Sequence, residues 1–503
     1  MTDSETARSR DTLIVVSNRL PLVLCKGQDR TWQIRPGSGG LVTALVPVLR
    51  NRGGLWIGWP GTTENLADVQ GALARATRDA GYGLIPVMLT ADEADDFYLG
   101  FSNEIIWPLF HDLQYLCNFD PAYWQAYIKV NRKYAQVIAQ QSRASAFIWV
   151  HDYHLMNIGT ELRRMGVDTE IGFFLHIPFP SPDMFLKLPW RQNILRALLE
   201  YEVIGFQTLR DRRNFVQCLR ALVKDVALDG KGQVVLARVG DHEVRIGHFP
   251  ISIDAHEFAK AAANPEVAAQ ALKLRALLGD RQLILGIDRL DYTKGILQRL
   301  TAFYNALSRY PDLQERVTLV QVVVPSREDI PRYHELRTQI EQLVGRINGE
   351  LTRPGVWVPI HYVFRNLSRI ELLAYYRAAE IALITPLKDG MNLVAKEYCM
   401  CSLEEDSVLI LSEFAGAAAQ LRHGALLVNP YDVEGVADTL HRAFTMDKDE
   451  RQRRMRKLRR SIRKRNVFWW VDAFLRAAIA KDLSAFPIGN CSLYEGDARD
   501  RGE

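Results

Sequence analysis

The sequence predicts an α/β protein that contains two doubly wound domains. Short apolar runs that read as buried strands alternate with helical patterns along most of the 503 residues, which is typical of parallel sheets covered on both faces. The alternation breaks at residues 247–254 and resumes near residue 283. Because a chain of this length normally forms more than one domain, we expect one domain over residues 12–250 and a second over 251–465.

The strand signals fall into two series, one in each expected domain. In the first domain they are residues 13–16, 55–57, 85–88, 147–150, 171–175 and 203–206. In the second they are residues 283–287, 317–324, 356–363, 381–384, 408–411 and 425–428. Between the first two strands lies a polar, glycine-bearing segment, 26–36, and we interpret residues 41–50 as a helix.

The ends of the chain have a different character. We expect residues 1–11 to be disordered, residues 466–485 to form a closing helix, and residues 486–503 to be a flexible tail. The basic run 451–465 fits an amphipathic helix with Met455, Leu458 and Ile462 facing inward.

Composition excludes several classes of protein. The net charge of +4 is too small to indicate a nucleic-acid partner, and no apolar run approaches the roughly 18 residues that span a membrane. The six cysteines lack zinc spacing, and the polar first 11 residues are unlike a signal peptide. We therefore expect a cytoplasmic protein without a bound metal.

The segment after strand 381–384 is the most informative part of the sequence. Pro386 and Gly390 break the pattern, and a helix starts near Asn392. A strand, a glycine turn and a helix start direct free N–H groups and the positive end of the helix dipole at one point, where a diphosphate can bind. Asp389 and Glu397 add carboxylates that suit a sugar or a ribose diol. This combination predicts a nucleotide-sugar site.

A second loop of this kind follows strand 283–287. Arg289 and Lys294 are five residues apart across a tight turn, so both cations can converge on one anion. The planar fork of arginine and the point charge of lysine suit a diphosphate leaving group.

The first domain has polar residues after two buried strands. Asp152 and His176 follow strands 147–150 and 171–175, and we expect both to face the site. A dinucleotide-binding fingerprint is not supported, because Val42 occupies the position of its last glycine. Gly39 and Gly40 are then compatible with a loop that approaches a ligand or with a structural turn.

Together these motifs resemble the trehalose-6-phosphate synthase family, retaining glucosyltransferases of the GT-B type. The resemblance covers about residues 12–485 and is carried by segments 17–21, 38–41, 100–103, 107–111, 149–155, 176–180, 289–295, 345–349, 389–397 and 412–416. It implies two Rossmann-like domains facing a central cleft. It also implies glucose transfer from UDP-glucose to glucose 6-phosphate, which forms α,α-trehalose 6-phosphate and UDP.

The resemblance gives each matching residue an expected role. The catalytic set comprises the clamp Arg289 and Lys294, the donor-sugar contact Asp389, and Trp107 and His176, which shape anomeric selectivity. Besides the two clamp residues, donor-binding residues are Gly39, Gly40, Ser368, Leu393, Val394, Ala395, Lys396 and Glu397. Acceptor-binding residues are Arg19, Tyr98, Asp152 and Arg327. The implied mechanism is front-face transfer, with no metal and no cofactor besides the co-substrate UDP-glucose.

Two alternatives stay open at this point. Glucosylglycerol-phosphate synthases share the donor half but use glycerol 3-phosphate; Arg19 and the segment 38–40 favour glucose 6-phosphate. A catalytically silent regulatory homologue is disfavoured by the intact clamp. A homo-oligomer is compatible with the sequence, and a separate phosphatase is expected to complete the pathway.

Overall fold

A computed structural model describes residues 13–26, 32–37, 40–143, 146–230, 232–327 and 330–479. The described residues divide into two compact units. One comprises residues 13–249 and 471–479, and the other comprises residues 250–470. The predicted disordered start (1–11) and flexible tail (486–503) lie outside the described residues.

The first unit is organised around a nine-stranded sheet with strand order β5-β4-β1-β6-β7-β8-β11-β10-β9. Its strands and a separate hairpin, β2–β3, are β1 Leu13–Arg19, β2 Leu22–Lys26, β3 Trp32–Pro36, β4 Leu55–Trp59, β5 Gly83–Pro86, β6 Phe147–His151, β7 Ile171–Phe174, β8 Val203–Phe206, β9 Ala227–Asp229, β10 Val234–Val239 and β11 His242–His248. Neighbouring strands from β5 to β11 are parallel, and β10 is antiparallel to both of its neighbours.

Helices connect the parallel strands of the first unit. They are α1 Gly40–Arg52, α2 Leu66–Ala80, α3 Ala91–Glu93, α4 Trp107–Phe110, α5 Pro121–Gln141, α6 Ile158–Arg164, α7 Pro182–Phe185, α8 Arg191–Leu198 and α9 Leu209–Leu222. A π-helix, Ala94–Ile106, joins α3 to α4, and a 3-10 turn, Tyr153–Leu155, follows β6.

The second unit contains a six-stranded sheet that is parallel throughout, with strand order β14-β13-β12-β15-β16-β17. Its strands are β12 Gln282–Arg289, β13 Val317–Val324, β14 Ile360–Phe364, β15 Ile381–Ile384, β16 Val408–Ser412 and β17 Leu426–Val428. Its helices are α10 Ala255–Ala262, α11 Pro265–Leu278, α12 Ile296–Arg309, α13 Pro331–Leu351, α14 Arg369–Ala378, α15 Leu393–Cys401, α16 Ala417–Leu421, α17 Val433–Thr445 and α18 Lys448–Lys464. The last helix, α19 Val467–Ile479, starts in the second unit and continues in the first.

The strand order confirms the predicted fold class. Taken from the first strand outward, β12–β17 have the order 3-2-1-4-5-6 of a doubly wound Rossmann sheet. The strands β1, β4, β5, β6, β7 and β8 of the first unit have the same order. In such sheets the strand order reverses between the first and fourth strands, and ligands bind beyond the carboxyl ends of the strands at that point. The two switch points lie between β12 and β15 and between β1 and β6.

The core has the composition that a parallel sheet requires. The strands are near-continuous apolar runs because helices cover both of their faces; β6, β7, β8, β15 and β16 are buried along their whole length. The predicted amphipathic basic helix is confirmed as α18, in which Met455, Leu458 and Ile462 are buried. None of the helices in the described ranges combines the length and apolarity needed to cross a bilayer.

Two predictions about local structure were wrong, and one element was missed. The polar segment 26–36 gave no strand signal, but Trp32–Pro36 pairs with Leu22–Lys26 as a hairpin. The strand expected over 356–363 is Ile360–Phe364, since Val356 and Val358 are exposed and Trp357 belongs to a turn that is closed by its bridge to Arg353. The strand expected over 85–88 starts earlier, at Gly83, and ends at Pro86.

Candidate active site

The first loop of the site in the second unit follows β12. Arg289 is the last residue of this strand, and its side chain is exposed. The chain then forms a 3-10 turn, Tyr292–Lys294, which is fixed by Asp291. The Asp291 carboxylate accepts hydrogen bonds from the main-chain N–H and the hydroxyl of Thr293, at 2.9 and 2.8 Å. This turn holds Lys294 at the start of α12, close in sequence to Arg289 and at the same strand end.

The second loop follows β15 and leads into α15. Asn392 adopts a left-handed conformation (φ 72°) and caps the helix, since its side-chain oxygen accepts a hydrogen bond from the N–H of Ala395 at 3.1 Å. Leu393 and Val394 occupy the first turn of α15 and are half-buried. The predicted succession of strand, loop and helix start is therefore present, and the binding of an anion there stays a prediction.

The two loops meet through a short ion pair. Lys294 Nζ lies 2.6 Å from Asp389 Oδ2, and the two side chains are 12% and 14% exposed. Asn392 Nδ2 donates to the same carboxylate oxygen at 3.2 Å. The structure thus brings together two residues, 95 positions apart in sequence, that were each predicted from a strand end.

Two glycines allow the second loop to pack closely. Gly295 has φ 63°, and a Cβ there would collide with the carbonyl oxygen of Thr385. Gly416 packs against the carbonyl of Gly390 on the other side of the loop, where a Cβ would also collide. The main-chain N–H of Gly416 donates to the carbonyl of Asp389 at 3.1 Å, so the loop that carries Asp389 is held by backbone contacts.

Positive charge surrounds the first loop. Burial opposes ionisation of Asp291, but the charges of Arg327 and Lys294 outweigh it and hold the pKa of this carboxyl below its usual value. Arg327, itself in a left-handed conformation (φ 51°), lies 3.3 Å from Asp291 and donates to the Tyr333 hydroxyl at 2.6 Å. In this structure Arg327 is bound within the second unit, and its predicted contact with the acceptor stays a prediction.

Glu397 and Lys396 lie in the first half of α15 and have different surroundings. Glu397 accepts a hydrogen bond from the Tyr376 hydroxyl at 2.9 Å, and burial raises the pKa of its carboxyl. The Lys396 side chain is fully buried and donates to the carbonyl of Ile251 at 2.7 Å. A direct donor contact from Lys396 would therefore come from its backbone, since its ammonium group is directed to Ile251.

Ser368, Gly39 and Gly40 complete the predicted donor set. Ser368 is the N-cap of α14 in a capping box with Glu371, which occupies both its main-chain N–H and its hydroxyl. Its carbonyl accepts the hydrogen bond of the Leu372 N–H at 2.9 Å, and its predicted uracil contact stays a prediction. Gly40 is the first residue of α1, whereas Gly39 lies outside the described residues.

In the first unit, Arg19 ends β1 at the switch point. Its guanidinium lies over the ring of Trp59, 4.0 Å from the centroid, and 5.4 Å from the centroid of Tyr98. Gly61 (φ 87°) leaves the space that the guanidinium fills, because a Cβ there would collide with it. Aromatic faces therefore contact the exposed Arg19, and its predicted contact with the acceptor stays a prediction.

Asp152 and His176, predicted from two strand ends, are brought together. Asp152 follows β6 with φ 75°, and its Oδ1 accepts a hydrogen bond from the main-chain N–H of His176 at 3.2 Å. Gln207 Nε2 donates to Nδ1 of His176 at 3.3 Å. A neutral His176 then carries its proton on Nε2, which lies 3.1 Å from Nδ1 of His151 and donates to it. Burial keeps His176 neutral by lowering its pKa to about 3.

Trp107 and Tyr98 belong to one aromatic cluster. Tyr98 lies within the π-helix and stacks on His154 at a centroid distance of 5.9 Å. Trp107 starts α4 immediately after that helix and is 6% exposed. Its ring centroid lies 4.3 Å from that of His111 and 5.8 Å from that of Tyr153. The π-helix, a geometry that is frequent at functional sites, had no signal in the sequence analysis.

Sequence reasoning also missed two groups that support the site. Gln207 orients His176; it directly follows β8, and the strand-end signal that identified Asp152 and His176 could have found it. Arg299, in the first turn of α12, bonds to residues from three strands or strand ends. A helical pattern assigns such a residue to a face but does not identify distant partners. Across the described ranges, no group of three or more histidine, cysteine or acidic side chains could hold a metal ion.

Two Rossmann-like units with polar clusters at their switch points are consistent with a glycosyltransferase of the GT-B class. The model of glycosyltransferase family 20 matches residues 11–480. A trehalose-6-phosphate synthase of Mycolicibacterium vanbaalenii is 42% identical over 476 residues, which cover 93% of this chain and 96% of the relative. One of Mycobacterium leprae is 42% identical over 483 residues, or 95% and 96% of the two chains. The chain therefore belongs to glycosyltransferase family 20.

Solved structures support this assignment. An α,α-trehalose-phosphate synthase (UDP-forming) from Burkholderia xenovorans, in complex with glucose-6-phosphate, has a TM-score of 0.83 and 35% identity, and the match covers 93% of this chain and 99% of that one. An E. coli structure bound with UDP-2-fluoro glucose has a TM-score of 0.82, 35% identity and the same coverage.

Proposed function

We propose that this enzyme transfers glucose from UDP-glucose to glucose 6-phosphate and releases UDP and α,α-trehalose 6-phosphate. One observation carries the proposal: Lys294 Nζ and Asp389 Oδ2 lie 2.6 Å apart at the switch point of the second unit. Arg289 is close by in sequence, at the end of strand β12. A family-20 chain with this arrangement has a cation pair for a diphosphate and a carboxylate for a hexose. The relatives named above support the choice of substrates.

The chemistry follows from charge development on the leaving group. As the bond to the glucosyl anomeric carbon breaks, negative charge grows on the UDP phosphates. Arg289, Lys294 and the N-terminus of α15 stabilise this charge more strongly in the transition state than in the ground state. The acceptor hydroxyl attacks the anomeric carbon from the face on which UDP departs and gives its proton to the departing phosphate oxygen, so the configuration is retained. The positioning of two substrates supplies much of the remaining acceleration.

Arg19 is the proposed acceptor-phosphate residue. Arg19 is an exposed residue, and its guanidinium lies against the rings of Trp59 and Tyr98. Trp59 is 5% exposed, so the half-buried Tyr98 is the ring that offers a surface for the apolar face of a pyranose, which glycerol 3-phosphate lacks. This arrangement supports glucose 6-phosphate over glycerol 3-phosphate as the acceptor.

The clamp provides the cationic charge that a metal would otherwise supply, so the proposed reaction is metal-independent. The product retains its phosphate, so a separate phosphatase is needed to form the free disaccharide. Both substrates are phosphorylated metabolites, and we place the reaction in the cytoplasm.

The test is UDP release from UDP-glucose with glucose 6-phosphate and glycerol 3-phosphate offered in parallel. Release with glucose 6-phosphate and formation of a phosphorylated disaccharide is the expected result. UDP release with glycerol 3-phosphate alone would identify glycerol 3-phosphate as the acceptor and leave UDP-glucose as the donor. Binding of UDP without turnover on either acceptor would instead indicate a regulatory homologue.

A further inference from the structure

Beneath the Lys294–Asp389 pair lies a buried arginine that the proposed chemistry does not use. The Arg299 side chain is 0% exposed, and its ion-pair partner Asp288 is 3% exposed. A buried charge is costly unless it is paired and hydrogen-bonded, and Arg299 meets both conditions. Its Nη1 lies 2.7 Å from Asp288 Oδ2 and donates to Gln321 Oε1 at 3.2 Å.

The other two nitrogens of the guanidinium reach both loops of the donor site. Nε donates to the hydroxyl of Thr385 at 3.1 Å, and Nη2 donates to the carbonyl of Lys294 at 3.3 Å. Thr385 is the first residue after β15 and starts the loop that carries Asp389. One planar group therefore joins the backbone of the clamp lysine to the base of the neighbouring loop.

The strand beneath is shaped to accept this group. Gly286 on β12 has no side chain, and a Cβ there would collide with the side-chain oxygen of Gln321 and lie 2.9 Å from Nη1 of Arg299. Asp288 is two residues further along the same strand and so lies on the same face of the sheet. The main-chain N–H of Arg299 donates to the carbonyl of Gly295 at 2.9 Å, which fixes the start of α12 as well.

Stabilisation of the core alone would not require these particular partners. Apolar residues of similar volume often replace a buried ion pair without loss of stability. Three of the four Arg299 contacts are instead made within a few residues of a donor-site residue: Asp288 precedes Arg289, Thr385 starts the loop of Asp389, and the carbonyl belongs to Lys294.

We propose that Arg299 is a positioning residue that sets the distance between the Lys294 turn and the Asp389 loop, so that both act on one donor molecule. This inference rests on the proposed function, because it names UDP-glucose as that donor. Lysine at this position keeps the charge but has a single nitrogen, which does not reproduce the four contacts of the planar fork.

The test compares Arg299→Lys with a matched control, Arg451→Lys. Arg451 is also buried, at 8% exposure, and donates to the carbonyls of Ala443, Phe444 and Met446. It contacts Gln282, at the opposite end of β12 from Arg289. The two substitutions are chemically identical, and only the first touches the donor loops.

Arg299→Lys is expected to lower kcat/KM for UDP-glucose about ten- to a hundredfold, because a misplacement of about 1 Å can cost on the order of a hundredfold in rate. The KM for glucose 6-phosphate should stay within about twofold, since acceptor contacts are untouched. Arg451→Lys should leave both constants near those of the parent enzyme, whatever its effect on thermal stability.

A second variant keeps the inference testable if Arg299→Lys does not fold. Thr385→Val removes only the acceptor of the Nε hydrogen bond, and it should lower kcat/KM for UDP-glucose by a smaller factor with the acceptor KM unchanged. Equal kinetic effects of the 299 and 451 substitutions, or parental kinetics in Thr385→Val, would overturn the positioning role while leaving the proposed function intact. A parent enzyme that neither binds UDP in calorimetry nor turns over UDP-glucose would overturn both.

Discussion

Removal of the Asp389 charge should tighten UDP binding while it slows the reaction. In the structure, the Asp389 carboxylate forms an ion pair with the ammonium of Lys294 at 2.6 Å. A diphosphate that binds Lys294 has to displace this carboxylate or accept it as a negatively charged neighbour. Asp389→Asn keeps the side-chain shape and removes both obstacles, so affinity for UDP rises. Turnover falls because the donor sugar loses its carboxylate contact.

The size of the effect follows from the exposure of the pair. Exposed ion pairs contribute up to about 1 kcal/mol, and breaking a fully buried pair costs about 3–5 kcal/mol. The side chains of this pair are 12% and 14% exposed, so its energy lies between those limits. We expect Asp389→Asn to improve the free energy of UDP binding by about 1–2 kcal/mol, which is roughly five- to thirtyfold tighter binding. Calorimetric titration of UDP measures this gain directly.

The control is a carboxylate that pairs with an arginine on the surface of the same unit. Asp438 lies 2.9 Å from Arg309, and both are more than one-third exposed, so Asp438→Asn should leave UDP affinity and turnover unchanged. Unchanged or weaker UDP binding by Asp389→Asn would refute the view that this carboxylate competes with the diphosphate for Lys294.

Four other predictions follow from the site. Arg289→Ala and Lys294→Ala should each lower turnover while the fold is retained, because each removes about 1.5–3 kcal/mol of transition-state stabilisation. Near-normal rates in both variants would contradict the clamp. Arg19→Ala should raise the KM for glucose 6-phosphate more than that for UDP-glucose, and an unchanged acceptor KM would count against its role. A chelator should leave the initial rate unchanged, whereas a loss that Mg²⁺ restores would show that a metal takes part. Burial lowers the pKa of His176 to about 3 and lowers that of its neighbour His151 well below its usual value, so both take up protons on unfolding below pH 6.5. The share of His176 should be a loss of about 1.4 kcal/mol of stability per pH unit as the pH falls from there towards 3. Denaturant unfolding at pH 7 and 5.5, in the parent and in His176→Asn, measures this share, and equal slopes in the two proteins would contradict it.

The parts of the site that could be predicted are those at strand ends. Arg289, Asp389, Asp152 and His176 each follow a buried apolar run, and parallel strands place their carboxyl ends at one edge of the sheet. The sequence therefore located these residues from local patterns alone. It did not establish the pairing of Lys294 with Asp389, because contact between two loops depends on strand order, and β12 and β15 are neighbours only through a crossover.

The parts that could not be predicted depend on backbone geometry or on distant partners. The π-helix Ala94–Ile106 differs from an α-helix in its hydrogen bonding, which composition does not encode. The hairpin β2–β3 was missed because its strands are short and its polar residues mask the alternation. Arg299 has the spacing of an ordinary helical residue, and only the packed structure shows its four partners.

The two glycines beside the Asp389 loop restrict which sequences this fold can accept. Gly295 and Gly416 are pressed against main-chain carbonyls, which have no rotamers and therefore no way to yield to a methyl group. Saturation mutagenesis at these positions should return glycine alone among active clones, whereas neighbouring surface positions should tolerate most amino acids. In a collection of functional variants, these two positions beside the donor loop would then always be glycine, although a glycine has no side chain that takes part in the reaction.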